Sequence, residues 1–216
     1  MVFLERLKGD WLRILVHVGA LLPLAWTVWQ YSQGLFLVDP VLEITTRTGK
    51  TALILLILSL ACTPFVTLFG VKKVLRLRRP LGLYAFLYAS VHFATFVWLD
   101  YGFNLSLLGQ ALFDQRYVLA GLASGLILLA LAITATRGWQ KRLGKYWKRL
   151  HRLAYLAAIL AVFHFVWLSK DFREPLRYGL VLAVLLFLRV PFVRKTVSSV
   201  RQQLKAMLRP VSHEPQ

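Results

Sequence analysis

Five histidines punctuate a chain otherwise poor in groups that could hold a metal or carry a proton. His92 lies inside the apolar run 81–99 and His164 inside the apolar run 150–169. His151 opens that second run, two residues after the basic pair Lys148 and Arg149. An imidazole inside a membrane helix is costly and marks a functional site by default. It is also a common protein ligand of haem iron. The competing reading is close helix packing around hydrogen-bonded histidines. Other chemistries lack their parts. A single cysteine, Cys62, excludes a disulfide framework and any cysteine-rich iron–sulfur or zinc site. The apolar runs contain no clustered carboxylates and no His-x-x-x-His, so zinc and di-iron sites are not expected. There is no Ser/His/Asp grouping and no glycine-rich phosphate loop.

The two deep histidines match in depth. His92 falls 12 residues after Arg78-Arg79-Pro80, and His164 falls 12 residues after Arg152. At the helical rise, each lies about 18 Å from the basic boundary. Two imidazoles at one level on two helices can ligate one iron from both faces. Ala85 and Ala89 precede His92, and Ala154, Ala157, Ala158 and Ala161 precede His164. Each stripe leaves room for a second helix or for a flat macrocycle.

The remaining histidines are placed differently. His151 and His164 are 13 residues apart, which puts them about 140° apart around a straight helix. The position facing His151 on the His92 run falls near Arg79, so a second haem would need His17, a non-histidine ligand, a bent helix or a neighbouring subunit. The alternative for His151 is an interfacial residue bonded to lipid headgroups. His17 lies about 9 Å into its run and reads as structural. His213 lies in the C-terminal tail.

These side chains must be positioned by a membrane protein. Of 216 residues 58% are apolar, and the mean hydropathy is +0.60. Continuous apolar runs predict helices rather than a barrel. Six spans are expected, at about 11–31, 50–70, 81–99, 117–136, 150–169 and 175–193. The last is the weakest, with Arg177 and Arg189 near its ends. Residues 14–38 carry no formal charge and no Ala-x-Ala site follows, so the first run reads as a retained span rather than a cleaved leader. Pro23 and Pro64 are expected to kink spans one and two. Gly121 and Gly125 form a Gly-x-x-x-Gly that reads as a packing face. No internal repeat is evident.

The net charge of +18 would suggest nucleic acid in a soluble protein. Here the charges alternate between connections, with 21 of the 27 basic residues on one side. That bias predicts both termini in the cytoplasm and removes the case for nucleic acid. Residues 1–193 form the membrane domain. Residues 194–216 are expected to give a basic helix along the inner membrane surface, then a disordered tail from Pro210. No connection is long enough to fold as a domain, so a soluble catalytic unit must be another chain. Most tryptophans fall near span ends as an interfacial belt. Tyr146 and Trp147 in a basic loop could alternatively stack on a flavin.

With these residues in place, the chain resembles the MsrQ (YedZ) family, haem-binding membrane subunits of a bacterial methionine-sulfoxide reductase system within a wider ferric-reductase-like group. The matching stretches are Arg-Arg-Pro-Leu-Gly-Leu-Tyr-Ala-Phe-Leu-Tyr-Ala-Ser-Val-His at 78–92, Trp-Lys-Arg-Leu-His-Arg-Leu-Ala-Tyr at 147–155 and His-Phe-Val-Trp at 164–167. The resemblance implies one or two b-type haems, held by His92, His164 and His151, and an FMN of unplaced site. It implies the bacterial inner membrane. It further implies electron flow from the quinone pool or a cytoplasmic flavin reductase to a periplasmic molybdopterin-containing partner, which itself reduces methionine sulfoxide in oxidised proteins. The chain would then have no substrate-reducing site of its own. The rivals are a stand-alone transmembrane ferric or quinone reductase and a cofactor-free transporter. The short loops disfavour a nucleotide domain, and the missing polar pathway disfavours a transporter.

Overall fold

A computed structural model describes residues 2–36 and 39–207, with side chains for 11–36 and 39–203. Every regular element among these residues is helical. The reason is the solvent: in hydrocarbon a chain must satisfy its backbone internally, and long uncharged runs do so only as helices.

The first helix, α1, is Val2–Ser32 and contains Pro23 without interruption. The next, α2, is Pro40–Phe69. Asp39 caps it by accepting bonds from the Val41 and Leu42 amides at 2.9 and 3.1 Å, and Pro40 sits at the first helical position, where no N–H is needed. This start lies ten residues before the expected span. The charges that suggested a loop, Glu43, Arg47 and Lys50, lie within the helix. Gly70 ends it with φ 78°, a left-handed cap that glycine adopts without strain.

A 3₁₀ turn, Lys72–Leu77, leads into α3, Arg78–Ala94, whose last turns widen into a π-helical segment, Thr95–Asp100. A short helix α4, Leu105–Asp114, precedes α5, Arg116–Ile133. Two further short helices, α6 (Arg137–Leu143) and α7 (Lys145–Leu150), carry the basic connection. Then come α8, Leu153–Leu168, and α9, Arg173–Phe187.

Among the described residues, five helical segments are long and apolar enough to cross a membrane by themselves. The sixth crossing is counted only if α9 is joined to α10, Pro191–Met207, across a 75° bend. Pro191 explains the break, since it offers no N–H to continue the ladder. The expected span 175–193 is therefore a shorter rod that turns at Leu188–Val190. The basic stretch beyond it is helical, and Arg201 of α10 donates to the Val66 and Thr67 carbonyls at the end of α2. The expectation for the tail from Pro210, and His213 with it, lies outside the described residues.

The core sits where α2, α3, α5 and α8 meet. Ala85, Ala157 and Ala158 are fully buried, so backbones approach closely there, as small residues permit in membranes. The room beside Ala157 is taken by α5, whose Ser124 hydroxyl donates to the Ala157 carbonyl at 2.9 Å. The helix α1 lies on the outside of this core, bonded to it where the Tyr88 hydroxyl donates to the Ala20 carbonyl at 2.7 Å.

Candidate functional site

His92 of α3 and His164 of α8 face one another, with ring centroids 6.0 Å apart and planes at 90°. Each is fixed from behind in the same way. His92 Nδ1 lies 2.8 Å from the Thr45 carbonyl oxygen, and His164 Nδ1 lies 2.7 Å from the Tyr117 carbonyl oxygen. A carbonyl only accepts, so both Nδ1 atoms carry the proton and both Nε2 atoms keep a lone pair. Such a backbone bond is the usual way to hold an imidazole for metal ligation.

A glycine seats each ring. A Cβ at Gly49 would lie 2.9 Å from His92 Nδ1, and one at Gly121 would lie 2.7 Å from His164 Nδ1. Nothing lies within 4 Å of a Cβ built at Gly125. The Gly-x-x-x-Gly of α5 is therefore not one uniform packing face. Gly121 makes space for an imidazole, and Gly125 meets nothing.

The two halves of the site follow one pattern. Thr45 and Tyr117, Gly49 and Gly121, Ala85 and Ala157, and His92 and His164 are each separated by 72 residues. The hairpin α2–α3 thus recurs as α5–α8 without insertion, with α6 at the register of the end of α2 and α7 at that of the Lys72–Leu77 turn. The cross-contacts agree, since α3 also meets α5 and α2 also meets α8. This overturns the reading that the chain has no internal repeat. The signal was present as a glycine 43 residues before each deep histidine, but most other equivalent positions hold different apolar residues, which periodicity cannot distinguish.

The residues present fit a haem iron held on both faces. An imidazole–metal bond of about 2 Å puts two rings sharing one ion with centroids about 6 Å apart. That is the separation found. The Thr45 hydroxyl beside His92 is buried without a hydrogen-bond partner among the described residues, so a polar ligand group there would find a free contact. No group of three or more His, Cys, Asp or Glu side chains assembles among the described residues, so the candidate donors of this centre are the two imidazoles.

His151 is not brought to this pair. The helix is interrupted at His151 and Arg152 between α7 and α8, so the angle expected from a straight rod does not apply. Its ring stacks on Trp147, with centroids 4.1 Å apart, and its Nε2 lies 3.2 Å from the Thr134 hydroxyl. Trp147 Nε1 donates to the Thr134 carbonyl at 2.9 Å. His17 is also elsewhere, with Nδ1 2.7 Å from the Tyr84 hydroxyl across the α1–α3 contact.

The packed helices that carry the facing histidine pair belong to a ferric-reductase-like transmembrane component. The family model of that description, "Ferric reductase like transmembrane component", matches residues 48–162, taking in His92 and His151 and stopping just before His164. The chain is 46% identical over 185 residues to the protein-methionine-sulfoxide reductase heme-binding subunit MsrQ of Xanthomonas axonopodis pv. citri, covering 82% of this chain and 85% of that one. The protein of the same name from Xanthomonas oryzae pv. oryzae is 45% identical over 181 residues, covering 81% of this chain and 83% of its own. The chain belongs to the MsrQ family.

Proposed function

We propose that this chain is the haem-carrying electron-transfer subunit of a methionine-sulfoxide reductase system in the bacterial inner membrane. One observation carries the reading: two imidazoles on repeated hairpins, each with its Nδ1 proton given to a carbonyl, face one another at the separation a shared iron requires. The bound group would be a b-type haem, which supplies reversible one-electron chemistry. His92 and His164 would present Nε2 to it. Thr45 and Tyr117 would keep both rings in the ligating tautomer, and Gly49 and Gly121 would let the rings lie flat against α2 and α5.

Six crossings with both termini in the cytoplasm, which the bias of basic residues supports, would put this pair toward the periplasmic side. Electrons would arrive from the quinone pool or a cytoplasmic flavin reductase. They would leave for a periplasmic molybdopterin-containing partner that reduces methionine sulfoxide in oxidised proteins. His151, stacked on Trp147 at the basic end, fits an electron-input position on the cytoplasmic side better than a ligand, since its Nε2 is bonded to Thr134. The same aromatic and basic loop is the place where an FMN would dock. This reading gives one haem per chain.

A reduced-minus-oxidised absorption spectrum with pyridine haemochrome quantitation tests the proposal. A low-spin b-type spectrum at one haem per chain is expected, lost in both His92→Ala and His164→Ala. A wild-type spectrum in either variant refutes the axial pair. Failure of a periplasmic molybdoenzyme to reoxidise the reduced protein refutes the pathway while leaving the haem in place.

A further inference from the structure

Lys50 touches both halves of the histidine site. It follows Gly49, the residue that seats the His92 ring on α2. Its ammonium leaves that helix and bonds Oε2 of Glu174, in the first turn of α9, at 2.8 Å. It also lies 5.8 Å from the centroid of the Phe165 ring. Phe165 follows His164 on α8, and its ring lies 6.0 Å from that of Tyr178 on α9. One ion pair therefore stands beside the seat of one imidazole and beside the chain neighbour of the other.

Holding helices together does not require this pair. The repeat supplies the comparison, since position 50 corresponds to Leu122 of α5 and position 47 to Leu119. With leucine at both places, α5 still packs closely on α8. The side chains of Lys50 and Glu174 keep 33% and 43% of their exposure. An ion pair that open contributes little to stability. A charge on a membrane helix is also costly to place, and leucine avoids that cost. What a lysine and a glutamate supply here, and leucine does not, is an electric field at the histidines.

We infer that Lys50 and Glu174 set how readily the centre accepts its electron, Lys50 favouring the reduced form and Glu174 offsetting it. The inference rests on the haem assignment above. Uptake of one electron lowers the charge of a ferric centre by one, with no bond formed or broken and no proton required. A nearby cation stabilises the product of that step, and a nearby carboxylate stabilises the reactant. Paired, the two nearly cancel. Removing either partner changes the total charge beside the histidines by one. Re-pairing of Glu174 with Arg177, one turn further along α9, does not undo that change.

The test is a spectroelectrochemical titration of the full-length haem-loaded protein in lipid nanodiscs. At the potential that half-reduces the wild type, Glu174→Gln should raise the ferrous-to-ferric ratio about threefold or more, and Lys50→Gln should lower it by a similar factor, the scale of a partly screened charge. Both shifts should shrink as salt is raised. The variant carrying both substitutions should return to within about twofold of wild type, because its net charge is restored. Lys50→Arg keeps the charge and should do the same. Haem content should not change in any of them. In the haem-free protein, a double-mutant cycle on thermal unfolding should show the two side chains coupled. Shifts of one sign from both single variants, or shifts below about twofold in both, overturn the inference, since a field reverses with the charge removed and a mere tie does not. A shift in Lys50→Arg equal to that in Lys50→Gln overturns it as well, and so does an absence of coupling in the cycle. Loss of haem from Lys50→Gln alone also overturns it, because the lysine would then be holding the haem's own carboxylates. All these outcomes leave the haem assignment standing. A wild-type protein without a dithionite-reduced spectrum removes that assignment and the inference together.

Discussion

Gly121 lies under His164 so closely that a methyl group on its Cα would meet Nδ1 at 2.7 Å, inside van der Waals contact. The ring is held there by the Tyr117 carbonyl and cannot yield without giving up that bond. Gly121→Ala should therefore displace the ligand, at an overpacking cost of about 1–3 kcal/mol. Gly49→Ala should act on His92 in the same way. Haem affinity is expected to fall about 10–100-fold in each, as for other losses of outer-shell support. Gly125→Ala meets no neighbour and should keep wild-type haem content. Haemochrome quantitation of the three variants decides this.

Arg189 lies at the bend after α9, with its guanidinium 4.8 Å from the Tyr155 ring centroid and hydrogen bonds to the Tyr155 hydroxyl and the Leu60 carbonyl. It ties the bend to both α8 and α2. Arg189→Leu should lower unfolding stability by roughly 1.5–3 kcal/mol, the range for charged hydrogen bonds. Arg189→Lys should not restore it, because an ammonium cannot reproduce the two-pronged contact over the ring. Thermal unfolding in detergent, followed by circular dichroism, is the measurement.

Ser124 makes the hydrogen bond that joins α5 to α8 at the buried Ala157. Ser124→Ala should cost about 0.6 kcal/mol, the mean for such bonds between membrane helices. The haem spectrum should be unaltered, since the histidine seats lie elsewhere on both helices. A large spectral change would mean that this contact positions His164.

His151→Ala and Trp147→Ala should each retain one low-spin haem per chain, because neither side chain reaches the facing pair. Reduction by a cytoplasmic flavin reductase should slow at least tenfold in both, while dithionite reduction stays unaffected. Stopped-flow absorbance with the two reductants separates these outcomes. Loss of the low-spin spectrum in His151→Ala would return this residue to the ligand set.

The helices and the deep histidines could be read from the chain because both depend on one-dimensional properties. Uncharged length sets a span, and residue count from a basic boundary sets depth. The start of α2 was hidden because Glu43, Arg47 and Lys50 look like a loop, whereas Asp39 and Pro40 begin a helix there. The bend at Leu188–Val190 was legible in Pro191 but was outweighed by the hydropathy of its flanks. The seats at Gly49 and Gly121 depend on which helix lies opposite, and no local pattern encodes that. The repeat is hidden in the sequence for a related reason. A bilayer asks only that a side chain be greasy, so sequence drifts freely except at backbone contacts and ligands, and few marks of duplication survive.

The facing histidines, their carbonyl partners and their glycine seats all lie between Thr45 and Leu168. The first helix and the bent C-terminal pair stand outside that enclosure, touching it from the flanks. A redox centre confined, as proposed, to the inner four rods would leave the outer ones free to be refitted. New donors or acceptors can be accommodated by changing the attachments, while the wire itself stays the same.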